Sequence, residues 1–303
     1  MRHTISYMAA AFMLLFSLNA GAQALPFVAA DFDAASLGRA GTSLTATSGA
    51  AYSAFGNPAA VPFSEDRLDV GAGYTMWAPT KGNVVSAGGA FNLKDRLGVA
   101  AGFSYGLNPA YDITDGGGAV SGRFSPTDMQ AGIGLSYRFL KFLSVGANIS
   151  YATSSLSSDI SYGAVAADVF VMARLAGLRV TAGVSDLGSK VTSASGARFA
   201  LPTSVALGAG YGMTFAQKHG IDLMLDADYF LDGGFAASAG VEYAMNGMVF
   251  ARAGYRYGGE SPLPSYASAG AGVRLLGIRL DIAYIFGSEV MGNTLAVGLG
   301  YSF

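Results

Sequence analysis

The sequence predicts an all-β chain: a transmembrane antiparallel β-barrel of about fourteen strands with an N-terminal hatch inside its lumen. Three observations predict it. A unit of roughly ten residues, with a large apolar or aromatic side chain at every second position, recurs along the chain. The connections between these units are alternately short and long. Finally, 51% of the 303 residues are hydrophobic and only 13% are charged, yet no stretch after residue 22 approaches the ~18 uninterrupted apolar residues of a membrane helix.

Composition narrows the functional classes. Glycine reaches 43 residues against 9 prolines with no triplet period, which excludes collagen and proline-rich disorder. The absence of cysteine excludes disulfides, thiolate metal sites and cysteine nucleophiles. A net charge of −2 offers no basic surface for nucleic acid.

In chain order, Arg2 and His3 precede the apolar run Met8 to Leu18, and Ala20-Gly21-Ala22 is a small-x-small cleavage site. Residues 1–22 therefore read as a signal peptide, with the mature chain starting at Gln23. An uncleaved anchor is the alternative, but the run is too short to span a bilayer. Residues 23–67 do not alternate and form the hatch segment, and residues 68–303 form the barrel. The fourteen units run over Leu68–Trp77, Val84–Leu93, Leu97–Tyr105, Asp128–Leu140, Leu143–Thr153, Tyr162–Leu175 and Leu178–Asp186. They continue over Ser204–Met213, Gly220–Phe230, Phe235–Met245, Met248–Tyr257, Ala267–Leu275, Ile278–Phe286 and Asn293–Phe303.

The last unit shows why the wall should face lipid. Leu295, Val297, Leu299, Tyr301 and Phe303 share one face, while Ala296, Gly298, Gly300 and Ser302 share the other. In a soluble sheet the large residues would face a core, but the second face here is too small and glycine-rich to be a solvated surface. In a membrane barrel, large residues face hydrocarbon and small ones face the lumen. A soluble sandwich or solenoid is the competing fold. Tight connections at Lys94-Asp95-Arg96, Lys141-Phe142, Ala176-Gly177, Ala216 to His219, Asn246-Gly247 and Leu276-Gly277 mark the periplasmic side. Mostly longer ones over 106–127, 154–161, 187–203, 258–266 and 287–292, with brief exceptions at 78–83 and 231–234, mark the exterior. The even strand number puts both chain ends in the periplasm of a bacterial outer membrane, with the membrane lipids as the surrounding partner.

A barrel of this size encloses a lumen that needs filling. Leu25, Phe27, Phe32, Leu37, Leu44 and Phe55 would be costly to leave in water, which favours a hatch over a disordered tail. Within it, Pro58 fixes a bend that the Asn57 side chain can satisfy, Gly38 and Gly41 permit close approach to the wall, and Arg39 can pair with inward acids. Those acids and their partners are Asp226, Asp228, Glu242, Arg252, Arg256, Arg274, Arg279 and Asp281, at inward positions on the later strands. They read as a salt-bridged lumen wall, with a part in pore selectivity as an alternative to purely structural pairing.

Leu25-Pro26-Phe27, Leu37-Gly38-Arg39-Ala40-Gly41 and Asn57-Pro58-Ala59 stand in an order that resembles the PorV/PorQ family of outer-membrane proteins, itself similar in fold to the FadL fatty acid transporters. Val184 to Lys190, Leu201-Pro202-Thr203-Ser204, Gly240-Val241-Glu242-Tyr243 and Ala253-Gly254-Tyr255-Arg256 extend the resemblance. Before Asn57-Pro58-Ala59 the chain departs from the family, with Ser48-Gly49-Ala50-Ala51-Tyr52 and Phe55-Gly56 in place of an acidic, alanine-rich stretch. The resemblance implies a non-enzymatic fourteen-stranded barrel without cofactors, accessory to type IX secretion, with a secretion translocon or exported proteins as partners. The FadL-like alternative implies a transporter that takes a hydrophobic ligand through the hatch region and out of the barrel wall. A structural barrel or general pore is a third reading. The terminal Tyr301 and Phe303 resemble the signal read by the barrel assembly machinery.

Catalytic motifs carry little here. Gly102-Phe103-Ser104-Tyr105-Gly106 matches the Gly-x-Ser-x-Gly pattern but lies within an alternating strand rather than a strand-to-helix elbow. The sole mature histidine, His219, is expected in a periplasmic turn, far from Ser104. No metal site is expected from one histidine and no cysteine. Trp77 and the tyrosines at 74, 105, 137, 151, 229, 243, 255, 257, 284 and 301 read as aromatic girdles. The sequon Asn148-Ile149-Ser150 lies in a strand and carries no glycan reading.

Overall fold

The computed structural model describes residues 24–193, 196–258, 263–287 and 292–303. The signal peptide, its cleavage site and Gln23 lie outside them. Strands carry the alternation that the sequence shows. They are β1 (Leu68–Trp77), β2 (Gly82–Leu93), β3 (Leu97–Leu107), β4 (Thr127–Leu140), β5 (Leu143–Ser155), β6 (Ser161–Leu175) and β7 (Leu178–Gly188). The second half comprises β8 (Ser204–Phe215), β9 (His219–Phe230), β10 (Phe235–Met245), β11 (Val249–Tyr257), β12 (Tyr266–Leu275), β13 (Ile278–Gly287) and β14 (Thr294–Ser302). Each pairs antiparallel with its chain neighbours, and β1 pairs with β14 from Asp69↔Ser302 to Met76↔Leu295. The result is a closed fourteen-stranded barrel with no free edge, the condition for strands in hydrocarbon.

Parity along the strands sets the two faces. On β14, Val297, Leu299 and Tyr301 are exposed on the outside, whereas Ala296 and Ser302 are buried inside. Around the wall the outward row includes Leu135, Leu207, Leu225, Leu280 and Leu299, each between 53% and 59% exposed. A continuous apolar surface of this extent belongs against lipid rather than water. All ten tyrosines assigned to the girdles lie on the outward parity. Trp77 does not: it points inward, 7% exposed, edge-on to Phe32 at 5.6 Å. Its parity with Asp69, Gly71, Gly73 and Thr75 outweighs its aromatic character.

The tight ends are hairpins that need left-handed backbone. Asn246-Gly247 and Leu276-Gly277 have positive φ at both residues, and so do Lys94-Asp95 and Ala216-Gln217, which contain no glycine. The pairing Phe215↔His219 closes the β8–β9 hairpin over three residues, so His219 begins a strand instead of sitting in a solvated turn. At the other end, the connection between β3 and β4 carries a small hairpin, Tyr111–Thr114 with Val120–Phe124. The β7–β8 connection carries a shorter one, Val191–Thr192 with Arg198–Phe199. One bulge interrupts the β6–β7 ladder between Ala167 and Val169, where Ser185 and Asp186 face a single residue and Asp186 takes a positive φ of 55°.

Residues 24–67 pack against inward positions of many strands. They form one short helix, α1 (Ala34–Leu37), and three 3₁₀ turns over Pro26–Ala29, Ala50–Phe55 and Pro58–Phe63. Asp33 caps α1, its carboxylate accepting from the backbone N–H groups of Ala35 and Ser36. Leu37, Ala40, Ala51, Ala54 and Ala59 are at most 2% exposed. A Cβ on Gly38 would stand 3.1 Å from the Gly270 Cα, so backbone meets backbone at that crossing. The interior core is thus built from this segment together with Trp77, Tyr266, Ala283, Ile285 and Ala296 of the wall.

Candidate functional site

A chain of buried ion pairs joins the N-terminal segment to the wall. Arg39, just past α1, donates through Nη1 to Glu242 Oε2 at 2.6 Å. The same oxygen accepts from Arg252 Nε at 2.6 Å, and Arg252 Nη1 donates to Asp281 Oδ1 at 2.6 Å. Arg279 continues the series, 2.9 Å from Asp281 and 3.5 Å from Asp69. Three guanidinium groups thus face three carboxylates, and each charge that leaves water is offset by its neighbours. The cross-strand register makes this possible, because Glu242 lies opposite Arg252.

The other inward charges belong to separate contacts. Asp226 accepts from the backbone N–H groups of Ser43 and Leu44 at 2.8 and 3.1 Å, while Asp228 lies 3.8 Å from Arg256. These two aspartates hold different partners. Arg274 pairs with Asp66 at 2.6 Å near the tight-turn end. Asn57 Oδ1 accepts from the Ala59 N–H at 2.9 Å, and its amide donates to the Leu44 carbonyl at 2.7 Å and Thr181 at 3.0 Å. Gly41 adopts a φ of 76°, reserved in practice for glycine.

Several interior residues escape the sequence reading. Asp69, Arg179 paired with Asp222, and Asp168 all follow the inward parity and were readable from it. Asn148, first residue of the strand sequon, has an interior role instead: its amide donates to the Gly56 and Ser53 carbonyls at 2.7 and 3.1 Å. Asp186 enters the interior only because of the bulge, its N–H donating to Asp168 at 2.7 Å.

Two cavities border the N-terminal segment. The first, of about 160 Å³, has several charged side chains in its lining, Asp31, Arg39, Asp168, Asp186, Asp228 and Arg256 among them. Burial, reinforced by the neighbouring Asp33 carboxylate, pushes the Asp31 carboxyl up to about 6, and burial also raises the Tyr52 hydroxyl. The second, of about 480 Å³, lies at the long-loop end and is mainly apolar. Leu25, Pro26 and Phe27 form one side of it; Trp77, Leu156, Tyr162, Val191, Phe199 and Leu263 form the rest, with Asp128 among them. A cavity of ~150 Å³ lined by Leu, Ile and Phe already binds benzene, so the larger pocket has room for an aromatic molecule.

Ser104 and His219 do not come together. Gly102 to Gly106 lies wholly within β3, with Ser104 buried inside, whereas His219 sits on the outer face, its Nδ1 2.6 Å from the Tyr243 hydroxyl and its ring stacked on Phe215. Wall and parity separate the two. Among the described residues, no group of three or more His, Cys, Asp or Glu side chains is arranged to hold a metal ion.

No protein-family model matches the chain, and no curated protein matches it in sequence. Solved structures do. The Ralstonia pickettii toluene transporter TbuX superposes with a TM-score of 0.65 at 10% identity, over 90% of this chain and 98% of that one. The P. putida toluene transporter TodX gives 0.65 at 16% identity, over 90% and 98%. A Pseudomonas aeruginosa FadL homologue gives 0.54 at 12% identity, over 90% and 98%. In fold, this chain is a closed fourteen-stranded antiparallel barrel similar to these three structures. The likeness reaches the architecture alone at these identities, and nothing in the comparisons supports the PorV/PorQ resemblance.

Proposed function

We propose that the chain is an outer-membrane channel for small hydrophobic molecules, with residues 23–67 serving as its plug. The observation that carries this reading is the apolar pocket of about 480 Å³ at the long-loop end, built by the N-terminal Leu25-Pro26-Phe27 together with the wall and loops. Its size falls within the ~300–1,000 Å³ of small-molecule sites, and its lining is aromatic and aliphatic with few polar groups. A solute that desolvates there meets the plug directly beneath, since Phe27 lines the apolar pocket and Val28 the charge-lined cavity. The ion-pair chain from Arg39 to Asp69 and the Asn57 bonds hold the plug in register with the wall, and Gly38, Gly41, Pro58 and Ala59 shape its backbone.

Two of the structural neighbours, TbuX and TodX, are toluene transporters, which supports the same class of solute. Protein export of the type IX kind, the reading drawn from family resemblance, has no comparable support and gives way to transport. Activity here is passage rather than chemistry, and no residue is assigned a catalytic role. The test is uptake of radiolabelled toluene by cells that produce the chain in the outer membrane, against cells that do not. Faster uptake is expected; equal uptake with the folded barrel present in the outer-membrane fraction would overturn the proposal.

A further inference from the structure

We propose that the apolar pocket selects uncharged aromatic molecules that carry a hydroxyl group, oriented by a hydrogen bond from that hydroxyl to Asp128, and that it turns carboxylates away. This deepens the transport reading and rests on it. Among the described residues, Asp128 is the one carboxylate in a lining otherwise dominated by Phe27, Trp77, Leu156, Phe199 and Leu263. It stands at the start of β4 on the inward parity, half-buried. Its Oδ2 accepts from the Asn108 amide at 2.9 Å, and Asn108 is itself held by its backbone N–H to the Pro126 carbonyl at 2.9 Å. Among the described residues, no other hydrogen bond and no cation reaches this carboxylate, in contrast to Asp69, Glu242 and Asp281 deeper in the barrel.

A carboxylate is an acceptor with two oxygens, and here one of them is fixed while the other has no donor among the described residues. A hydroxyl donor completes it with a charge-assisted hydrogen bond, the stronger kind, and loses no hydrogen bond of its own on leaving water. A plain hydrocarbon gains only the apolar contact. An aromatic acid brings a second negative charge beside Asp128, and no Lys or Arg among the described residues lines the pocket to offset it. The pocket therefore sorts by polarity of one substituent, not by size.

Trp77 supplies the readout, since it is the sole tryptophan of the chain and lines this pocket. The full chain in detergent is titrated at neutral pH with toluene, p-cresol and p-toluate, and Trp77 fluorescence is excited at the red edge of its absorption so that the phenol does not contribute. The cresol is expected to bind about tenfold tighter than toluene, with no response to the toluate. In Asp128→Leu the cresol should fall to the level of toluene. In Asp128→Asn, which keeps the shape and the Asn108 contact, the toluate should begin to bind. Equal affinities of toluene and cresol for the native chain, or a cresol preference that survives Asp128→Leu, would overturn the selectivity while leaving apolar transport standing. Absence of response to all three probes overturns it as well, and if toluene uptake is also unchanged the transport reading falls with it.

Discussion

Replacing Arg39 with methionine removes a charge and keeps most of the apolar stem. In the native chain Arg39 Nη1 is 2.6 Å from Glu242 Oε2, with side chains only 3% and 9% exposed. At an effective dielectric of ~20, two unit charges at that distance attract by about 6 kcal/mol before desolvation is subtracted. Breaking a buried pair by deleting one member costs about 3–5 kcal/mol, because the survivor stays buried. Glu242 retains Arg252 at 2.6 Å, which places the expected loss near the lower end, about 3 kcal/mol. The double variant Arg39→Met/Glu242→Gln restores the balance of charge and should lose less than the sum of the two single changes. Urea titration of the refolded protein in lipid vesicles reads the stability, and planar-bilayer recordings read the plug. Arg39→Met is expected to add frequent opening events to a nearly closed baseline. A loss below ~1 kcal/mol, comparable to an exposed pair, together with an unchanged baseline, would refute the view that this ion-pair chain pins the segment to the wall.

Leu299, outward and near mid-height of β14, should lose about 2–4 kcal/mol on change to Arg, whereas Leu187→Arg at the long-loop rim should cost about 0–1 kcal/mol in the same refolding assay. Deleting residues 27–60 should leave a heat-modifiable barrel and convert the nearly closed state to a large, steady conductance; identical conductance of the two proteins would dismiss the plug. The Asp31 carboxyl, raised to about 6, favours the folded state in its protonated form, so its contribution is present below about pH 4 and disappears as pH rises through 6. Asp31→Asn should therefore gain up to about 3 kcal/mol over the native chain at pH 7.5 and nothing at pH 4, measured by urea midpoints.

The fourteen strands, their parity and the alternation of short and long connections were legible because a period of two is a local property. Each residue from Leu295 to Phe303 declares its face through its immediate neighbours, with no knowledge of the other strands. Inward charges such as Glu242, Arg252 and Asp281 were legible for the same reason. Parity also contained Trp77 and Asp69, which composition obscured: a tryptophan reads as girdle until its register is followed.

What only the tertiary structure decided depends on contacts between residues far apart in the chain. Which acid Arg39 meets is set by how residues 24–67 lie against β10, over a separation of 203 residues. Gly38 opposite Gly270 is meaningful only once that placement is known, since either glycine alone is one of 43. Asp186 turns inward through a bulge that shifts parity by one, a change no alternation pattern can signal. The apolar pocket draws on the N-terminal segment, four strands and several loops, so no window of sequence contains it. A strand's faces follow from backbone geometry over neighbouring residues, but a cavity follows from the closure of the whole barrel and from the one segment folded against its inner side.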